Sequence, residues 1–347
     1  MINNTLEWLP CLVHFVPPCL CVKQCATSTT KKPNRRKTMR HLITLDDVTM
    51  PELDRIMELA SQIKAECRAG VRKPYLAGKT IAMIFEKQSL RTRVSFEAGM
   101  THLGGSSMFL GDDVGFGKRE STKDFGNVLS AMVDAIVFRA KKHENVVELA
   151  GHCTCPVINA LTDKAHPCQA LADMMTVQER FGSLQGRKIA WLGDANNVAA
   201  SLARAAVKLG VEMVLASPKQ YQFKEAAVKD ITSADPDYTL RQLTDPREAV
   251  QGADAIYTDV WASMGQEAEE TQRKKDFADY QVNAKLMAAA KPGCIFLHCL
   301  PAKRGVEVAD EVMDSPQSAI VQQAENRLHA QKGLLVWLLG EGGCGDP

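Results

Sequence analysis

From residue 42 onward, short apolar runs alternate with stretches in which apolar residues recur every three or four positions. Short runs bounded by turn residues read as buried strands, and the longer period reads as helices with one buried face. On this basis strands are expected at 81–86, 107–110, 135–139 and 157–159, with helices near 91–103, 121–132 and 144–152 between them. The stretch LDDVTMPELDRIMELASQIK has an acidic start and helical spacing, so a helix is expected ahead of the first strand. Strand, helix, strand in strict alternation predicts a parallel sheet covered on both faces.

HPCQALADMMTVQERFG reads as one helix, with Pro167 in its first turn and Gly182 at its end. A second series follows. RKIAWLGDANN is a strand ending in a Gly-Asp turn, and VAASLARAAVKLG is a helix closed by Gly210. Further strands are expected at 213–216, 255–259 and 294–297, and a last helix near 321–339. The fold class is therefore α/β: two doubly wound parallel-sheet domains with the active site in the cleft between them. The expected divisions are 39–180, 181–320, and a C-terminal helix with its tail at 321–347.

Composition narrows the classes. The chain has 347 residues, 45% hydrophobic and 24% charged, which suits a globular protein of two domains. A net charge of +1 gives no reason to expect nucleic acid as a partner. The apolar runs are too short for a membrane span. There are eleven cysteines, an odd number, several of them inside apolar runs as reduced structural cysteines are. The C-x-C pairs at Cys19–Cys21 and Cys153–Cys155 lack a second pair at zinc-finger spacing, so no metal is expected. The cytosol is the expected compartment. Residues 1–38 differ from the rest: WLPCLVHFVPPCLCV is apolar, but no Lys or Arg precedes it and Pro17-Pro18 interrupts it. It makes a poor signal peptide, and the segment is expected to be a disordered or non-native extension ahead of Met39.

Ligands of open α/β sheets collect at the carboxyl ends of the strands. In the first half those ends carry Ser89, Leu90, Arg91 and Thr92, then Arg139, then His166 and Gln169. In the second half they carry 194–197, then 259–265, then 298–301. One set is cationic and the other acidic and amide-rich, which suits an anion on one wall and an amine on the other. Ser89 to Thr92 stand at an expected helix start, where free N–H groups face an anion and Arg91 can clamp phosphate; a capped helix with solvated arginines is the alternative. His166 and Gln169 share a helix face, so one could polarise a carbonyl and the other hold an amide, unless the histidine only caps a turn. LGDANN lacks the G-x-G-x-x-G turn of dinucleotide sites, and Asn197 reads better as a ligand for a carboxylate. Asp259 could bind an ammonium or cap a turn, with Ser263 and Met264 in the loop behind it. Cys299, before Leu300 and Pro301, could be a nucleophile facing the cleft or a buried inert thiol.

Taken together, the motifs resemble the aspartate/ornithine carbamoyltransferase family over roughly 39–339. S-x-R-T-R at 89–93, H-P-C-Q at 166–169, the Asp-Asn turn at 194–197, D-x-x-x-S-M-G at 259–265 and H-C-L-P at 298–301 occur in family order. The last two mark its ornithine-type branch. The resemblance implies that Ser89, Leu90, Arg91 and Thr92 cradle the phosphate of carbamoyl phosphate. Arg139 and His166, with Thr92, would hold its carbonyl oxygen, and Gln169 its nitrogen. Arg327 would reach the same ligand from a last helix that returns to the first domain. Asn197, Asp259, Ser263 and Met264 would hold the amino-acid end of L-ornithine, with Cys299 and Leu300 beside the reacting amine. Arg91, Arg139, His166 and Cys299 are thus the implied catalytic group. No cofactor is implied, and the implied assembly is a homotrimer or a multiple of trimers. Two positions depart from the family pattern: Leu90 where Thr is usual, and Gly115 where many relatives have Gln. The competing readings are a carbamoyltransferase for another amine, such as putrescine or acetylornithine, and a non-catalytic regulatory paralogue.

Overall fold

The computed structural model describes residues 40–111, 114–262 and 267–340. The expectations for residues 1–38, Ser263 and Met264 fall outside these segments. The first half contains α1 (Met50–Arg68), β1 (Thr80–Phe85), α2 (Leu90–His102), β2 (Ser106–Leu110), α3 (Thr122–Ser130), β3 (Ala135–Arg139), α4 (His143–Ala150), β4 (Val157–Leu161) and α5 (Pro167–Phe181). The second contains β5 (Lys188–Leu192), α6 (Asn197–Leu209), β6 (Glu212–Ala216), α7 (Glu225–Ile231), β7 (Arg241–Leu243), α8 (Pro246–Val250), β8 (Ala255–Thr258), α9 (Glu270–Asp276), α10 (Ala284–Ala289), β9 (Ile295–His298), α11 (Asp310–Met313) and α12 (Ile320–Leu339).

The strands form two parallel sheets, in the orders β2-β1-β3-β4 and β7-β6-β5-β8-β9. In each, the first strand of the series lies inside and the chain then winds outward both ways. Strand order therefore reverses between β1 and β3 and again between β5 and β8. These are the crevices where open sheets bind ligands.

One apolar core serves both sheets. Met83 and Val137 on the first, Trp191 and Tyr257 on the second, and Met174, Leu202 and Leu334 on the covering helices are all buried within it. The helix α5 ends where Gly182 takes φ 78° and donates back to Gln178, which lets the chain turn into β5. The last helix, α12, packs against α1, α2 and α5, all in the first half. Among the described residues no helix is long and apolar enough to cross a membrane.

Two details differ from the expected pattern. The first helix is split: a short 3-10 turn at Leu45–Asp47 precedes α1, which is started by the Thr49–Glu52 capping box. Pro51 is tolerated only in the first turn, where its missing N–H would have no intrahelical acceptor, so the helix starts immediately before it. Strand β7 was not expected from the pattern, because the edge strand RQL stays partly exposed and carries no apolar run.

His329 lies on α12, 3% exposed, with its Nδ1 unpartnered. Burial, then Lys332 and Lys64, push its pKa down to about 3. Between that value and the ordinary value near 6.5, the unfolded chain takes up a proton that the folded chain refuses, so stability is lost as pH falls. His329→Gln should therefore flatten the pH dependence of unfolding by about 2 kcal/mol between pH 8 and pH 5. Urea melts of both proteins at the two pH values measure this, and equal slopes would show that His329 is not held neutral.

Candidate active site

The cationic wall is built from four separate segments. Strand β1 delivers the chain to Ser89, whose extended backbone and Oγ cap α2 by accepting from Thr92 N at 3.3 Å. This leaves the first N–H groups of α2 directed at the cleft, with the positive end of the helix dipole behind them. Leu90 occupies the first helical position with its side chain 71% exposed, so only its backbone is committed. Arg91 follows, half-buried.

Arg139 ends β3, in register with Phe85 of β1. It is buried, its Nε has no partner, and its pKa falls to about 10 through burial and the nearby Arg327 and Arg91. His166 stands at the N-terminus of α5, immediately before Pro167. Its backbone N–H donates to Ser201 Oγ at 2.7 Å, while Nδ1 is buried without a partner. Burial, then Arg327, Arg139 and Arg91, hold the imidazole well below its ordinary value, so it is neutral. Arg327 arrives from α12 and donates to Gln169 Oε1 at 2.7 Å and to Thr92 Oγ1 at 3.1 Å. Among the described residues none of Arg91, Arg139 and Arg327 makes an ion pair. Buried arginines are normally paired; Arg139 and Arg327 are buried and Arg91 half-buried, and an anion entering the cleft would meet all three.

The opposite wall is acidic. Asp259 follows β8; its Oδ2 accepts from Asn196 Nδ2 at 2.8 Å, and its Oδ1 from Val260 N at 2.8 Å and the Cys299 thiol at 3.0 Å. Asn196 also caps α6, accepting from Val198 N and Ala199 N. Asn197 donates to the Thr162 carbonyl at 2.5 Å, so its oxygen end remains unengaged by that bond. Asp194 is tied to Arg273 at 2.9 Å.

Cys299 is not a ready nucleophile. Burial, then the Asp259 charge and hydrogen bond, push its thiol well above the ordinary value, so it stays protonated. The turn that carries it is strained: Leu300 has φ 59° and donates from its N–H to His298 Nδ1 at 2.8 Å. His298 Nε2 meets Glu307 Oε1 at 3.3 Å. Asp259, His298 and Cys299 come within 4.8 Å of one another, but both imidazole nitrogens already have partners, which suits a clamp for the turn rather than a metal ligand.

The walls enclose a cleft of about 830 Å³. Every candidate residue within the described segments lines it: Ser89, Leu90, Arg91, Thr92, Arg139, His166, Gln169 and Arg327 on one side, Asn197, Asp259, Cys299 and Leu300 on the other. Gly115 does not; it takes φ 67°, and a Cβ there would meet the Arg119 side chain at 2.6 Å. Asn196, the partner of Asp259, was missed by the sequence reading, although its place ahead of a helical run is a capping signal.

Comparison with known proteins shows the family. A family model described as "Aspartate/ornithine carbamoyltransferase, carbamoyl-P binding domain" matches residues 40–179, and one described as "Aspartate/ornithine carbamoyltransferase, Asp/Orn binding domain" matches 185–338. Ornithine carbamoyltransferase of Methanospirillum hungatei is 50% identical over 301 residues, covering 86% of this chain and 99% of the relative. The anabolic enzyme of Pyrococcus furiosus is 49% identical over 304 residues, covering 87% and 96%. A solved P. furiosus structure superposes with TM-score 0.83 at 49% identity, covering 88% of this chain and 97% of that one. A mitochondrial ornithine carbamoyltransferase from Coccidioides immitis gives 0.81 at 40%, covering 88% and 99%.

Arg91→Ala should weaken the binding of inorganic phosphate roughly ten- to hundredfold, the usual loss for one charge-assisted contact. The melting temperature should not fall, because the Arg91 side chain makes no hydrogen bond among the described residues and its backbone bonds survive the substitution. Calorimetric titration with phosphate measures this; undiminished affinity would place the anion site elsewhere.

Proposed function

Because the chain belongs to the aspartate/ornithine carbamoyltransferase family, we infer that its cleft joins carbamoyl phosphate to the side-chain amine of L-ornithine, releasing L-citrulline and phosphate. The observation that carries the reading is the unpaired cationic corner of Arg91, Arg139, Arg327 and neutral His166 facing the carboxylate of Asp259 across one cleft.

In this reading the N–H groups and hydroxyls at Ser89, Leu90 and Thr92, with Arg91, take the phosphate. Arg139, His166 and Thr92 surround the carbonyl oxygen, and Gln169 accepts from the nitrogen. The amine attacks the carbonyl carbon, and charge moves onto that oxygen. A neutral imidazole and a guanidinium are already aimed there, and losing one such donor typically costs about 3–4 kcal/mol of transition-state stabilisation. As the carbon–oxygen bond to phosphate breaks, the growing charge on the leaving group falls on Arg91 and the start of α2. The phosphate takes the proton released by the amine. Positioning two bound substrates supplies much of the remaining acceleration.

Asp259 takes the α-ammonium of ornithine and Asn197 its carboxylate, with Ser263 and Met264 completing that end. Cys299 and Leu300 line the path of the side chain. Residues 39–180 thus act as the carbamoyl phosphate-binding domain and 181–320 as the ornithine-binding domain, with Arg327 returned to the first by α12. The two family matches, 40–179 and 185–338, support the boundary near residue 180, although the second runs on through α12. We further propose a cytoplasmic homotrimer, or a multiple of trimers, working in arginine biosynthesis. The anabolic relative supports the pathway. Leu90, Val94, Met108 and Phe109, exposed apolar residues on α2 and β2, are suited to being covered by another subunit.

A citrulline-forming assay tests the function. Ornithine should be preferred over putrescine and over acetylornithine by roughly a hundredfold or more in kcat/KM, because each rival forfeits charge-assisted contacts at Asp259 or Asn197. Carbamoylation of putrescine at an equal rate, or no turnover at all, would sink the reading. Asp259→Asn should raise KM for ornithine far more than for carbamoyl phosphate. The opposite pattern would reverse the assignment of the two walls.

A further inference from the structure

A chain of buried hydrogen bonds runs behind the cleft and is anchored on a residue that touches no substrate. Arg327 holds Gln169 Oε1, and Gln169 Nε2 donates to Asp173 Oδ1 at 2.8 Å, one turn further along α5. The same carboxylate oxygen accepts from Gln323 Nε2 of α12 at 2.6 Å. Gln323 Oε1 in turn accepts from the backbone N–H of His298 at 2.9 Å, next to Cys299. Asp173 is 0% exposed, and Gln169 and Gln323 are each 1% exposed.

We propose that Asp173 is a positioning residue that fixes which end of the Gln169 amide faces the cleft, and so makes the site select a carbamoyl nitrogen over a group of the same size that cannot donate. The two ends of a primary amide are nearly identical in shape, so packing alone does not choose between them. Their partners do. Arg327 only donates, so it demands the amide oxygen. Asp173 Oδ1, already accepting from Gln323, demands the amide nitrogen. Reversal would set N–H against N–H at one end and oxygen against oxygen at the other. The oxygen of Gln169 is left with a second lone pair beside the cleft, where a ligand NH2 can donate. Burial pushes the Asp173 carboxyl up to about 7. The Tyr257 hydroxyl lies beside this carboxyl, and Oδ2 has no other hydrogen-bond partner among the described residues, so a proton can reside there while Oδ1 continues to accept.

This rests on the reading that Gln169 holds the carbamoyl nitrogen, and the test separates the two. Acetyl phosphate carries a methyl group where carbamoyl phosphate carries NH2. The ratio of the two affinities, measured by competition, reports the orientation of the amide. Asp173→Leu, which removes the acceptor at similar size, should lower the ratio roughly tenfold, while affinity for inorganic phosphate stays within a factor of about three. Asp173→Ser, too short to reach Gln169, carries the same expectation should the leucine variant not fold. Asp173→Asn keeps an acceptor and should keep the ratio. The proposal is overturned if Gln169→Leu lowers the ratio while Asp173→Leu or Asp173→Ser leaves it unchanged, or if Asp173→Asn loses it. An unchanged ratio in Gln169→Leu would remove the carbamoyl-nitrogen reading itself.

Discussion

Three guanidinium groups and a neutral imidazole converge at one end of the cleft, and among the described residues no carboxylate pairs with any of them. Like charges brought together away from water repel strongly, and burial penalises each one further. A fold holds such a corner only if the surrounding structure leaves its members nowhere else to go. Arg139 is the last residue of an interior strand, Arg91 the second residue of a capped helix, and Arg327 is threaded from a helix packed on three others. The lowered pKa of Arg139, about 10, registers that cost. An anionic ligand offsets it, which ties the stability of the corner to occupancy by substrate.

Burial first, and then the three guanidinium groups of the same corner, keep His166 neutral, and neutrality is what the chemistry needs. A charged imidazole would add a fourth cation to the site; a neutral one still donates a hydrogen bond as negative charge develops on the substrate oxygen. Across the cleft, Asp259 is satisfied without a cation: Asn196, Val260 N–H and the Cys299 thiol occupy its oxygens. An arriving ammonium can displace the weak thiol contact without first breaking an ion pair. Both walls are thus preorganised toward charges that the substrates bring.

Much of this was legible in the chain. Short apolar strands alternating with helices gave two parallel sheets, and the residues at strand ends gave the cleft, because strand ends are where such sheets collect ligands. Arg139 could be found because a guanidinium ending an apolar strand has no packing reason to be there. Gly182 and Gly210 were legible as helix ends because both take positive φ. The supporting network was not legible. Asp173 and Gln323 sit at helical spacing inside sequence that reads as ordinary helix, and their meaning depends on two helices 150 residues apart meeting across a buried gap. Asn196 was passed over for Asn197 because adjacent amides in a turn are indistinguishable until the backbone directs one at Asp259 and the other at Thr162.

The central claim is that the two walls hold the two substrates at once, anion on the cationic corner and amino acid on the acidic side. A crystal structure with a phosphonoacetyl derivative of L-ornithine tests this most directly, since that one molecule carries both ends. The account predicts the phosphonate on Ser89, Arg91 and Thr92, the amide oxygen between Arg139 and His166, and the amino-acid end at Asn197 and Asp259. A phosphonate bound away from Arg91, or an amino-acid end that does not reach Asp259, would contradict it.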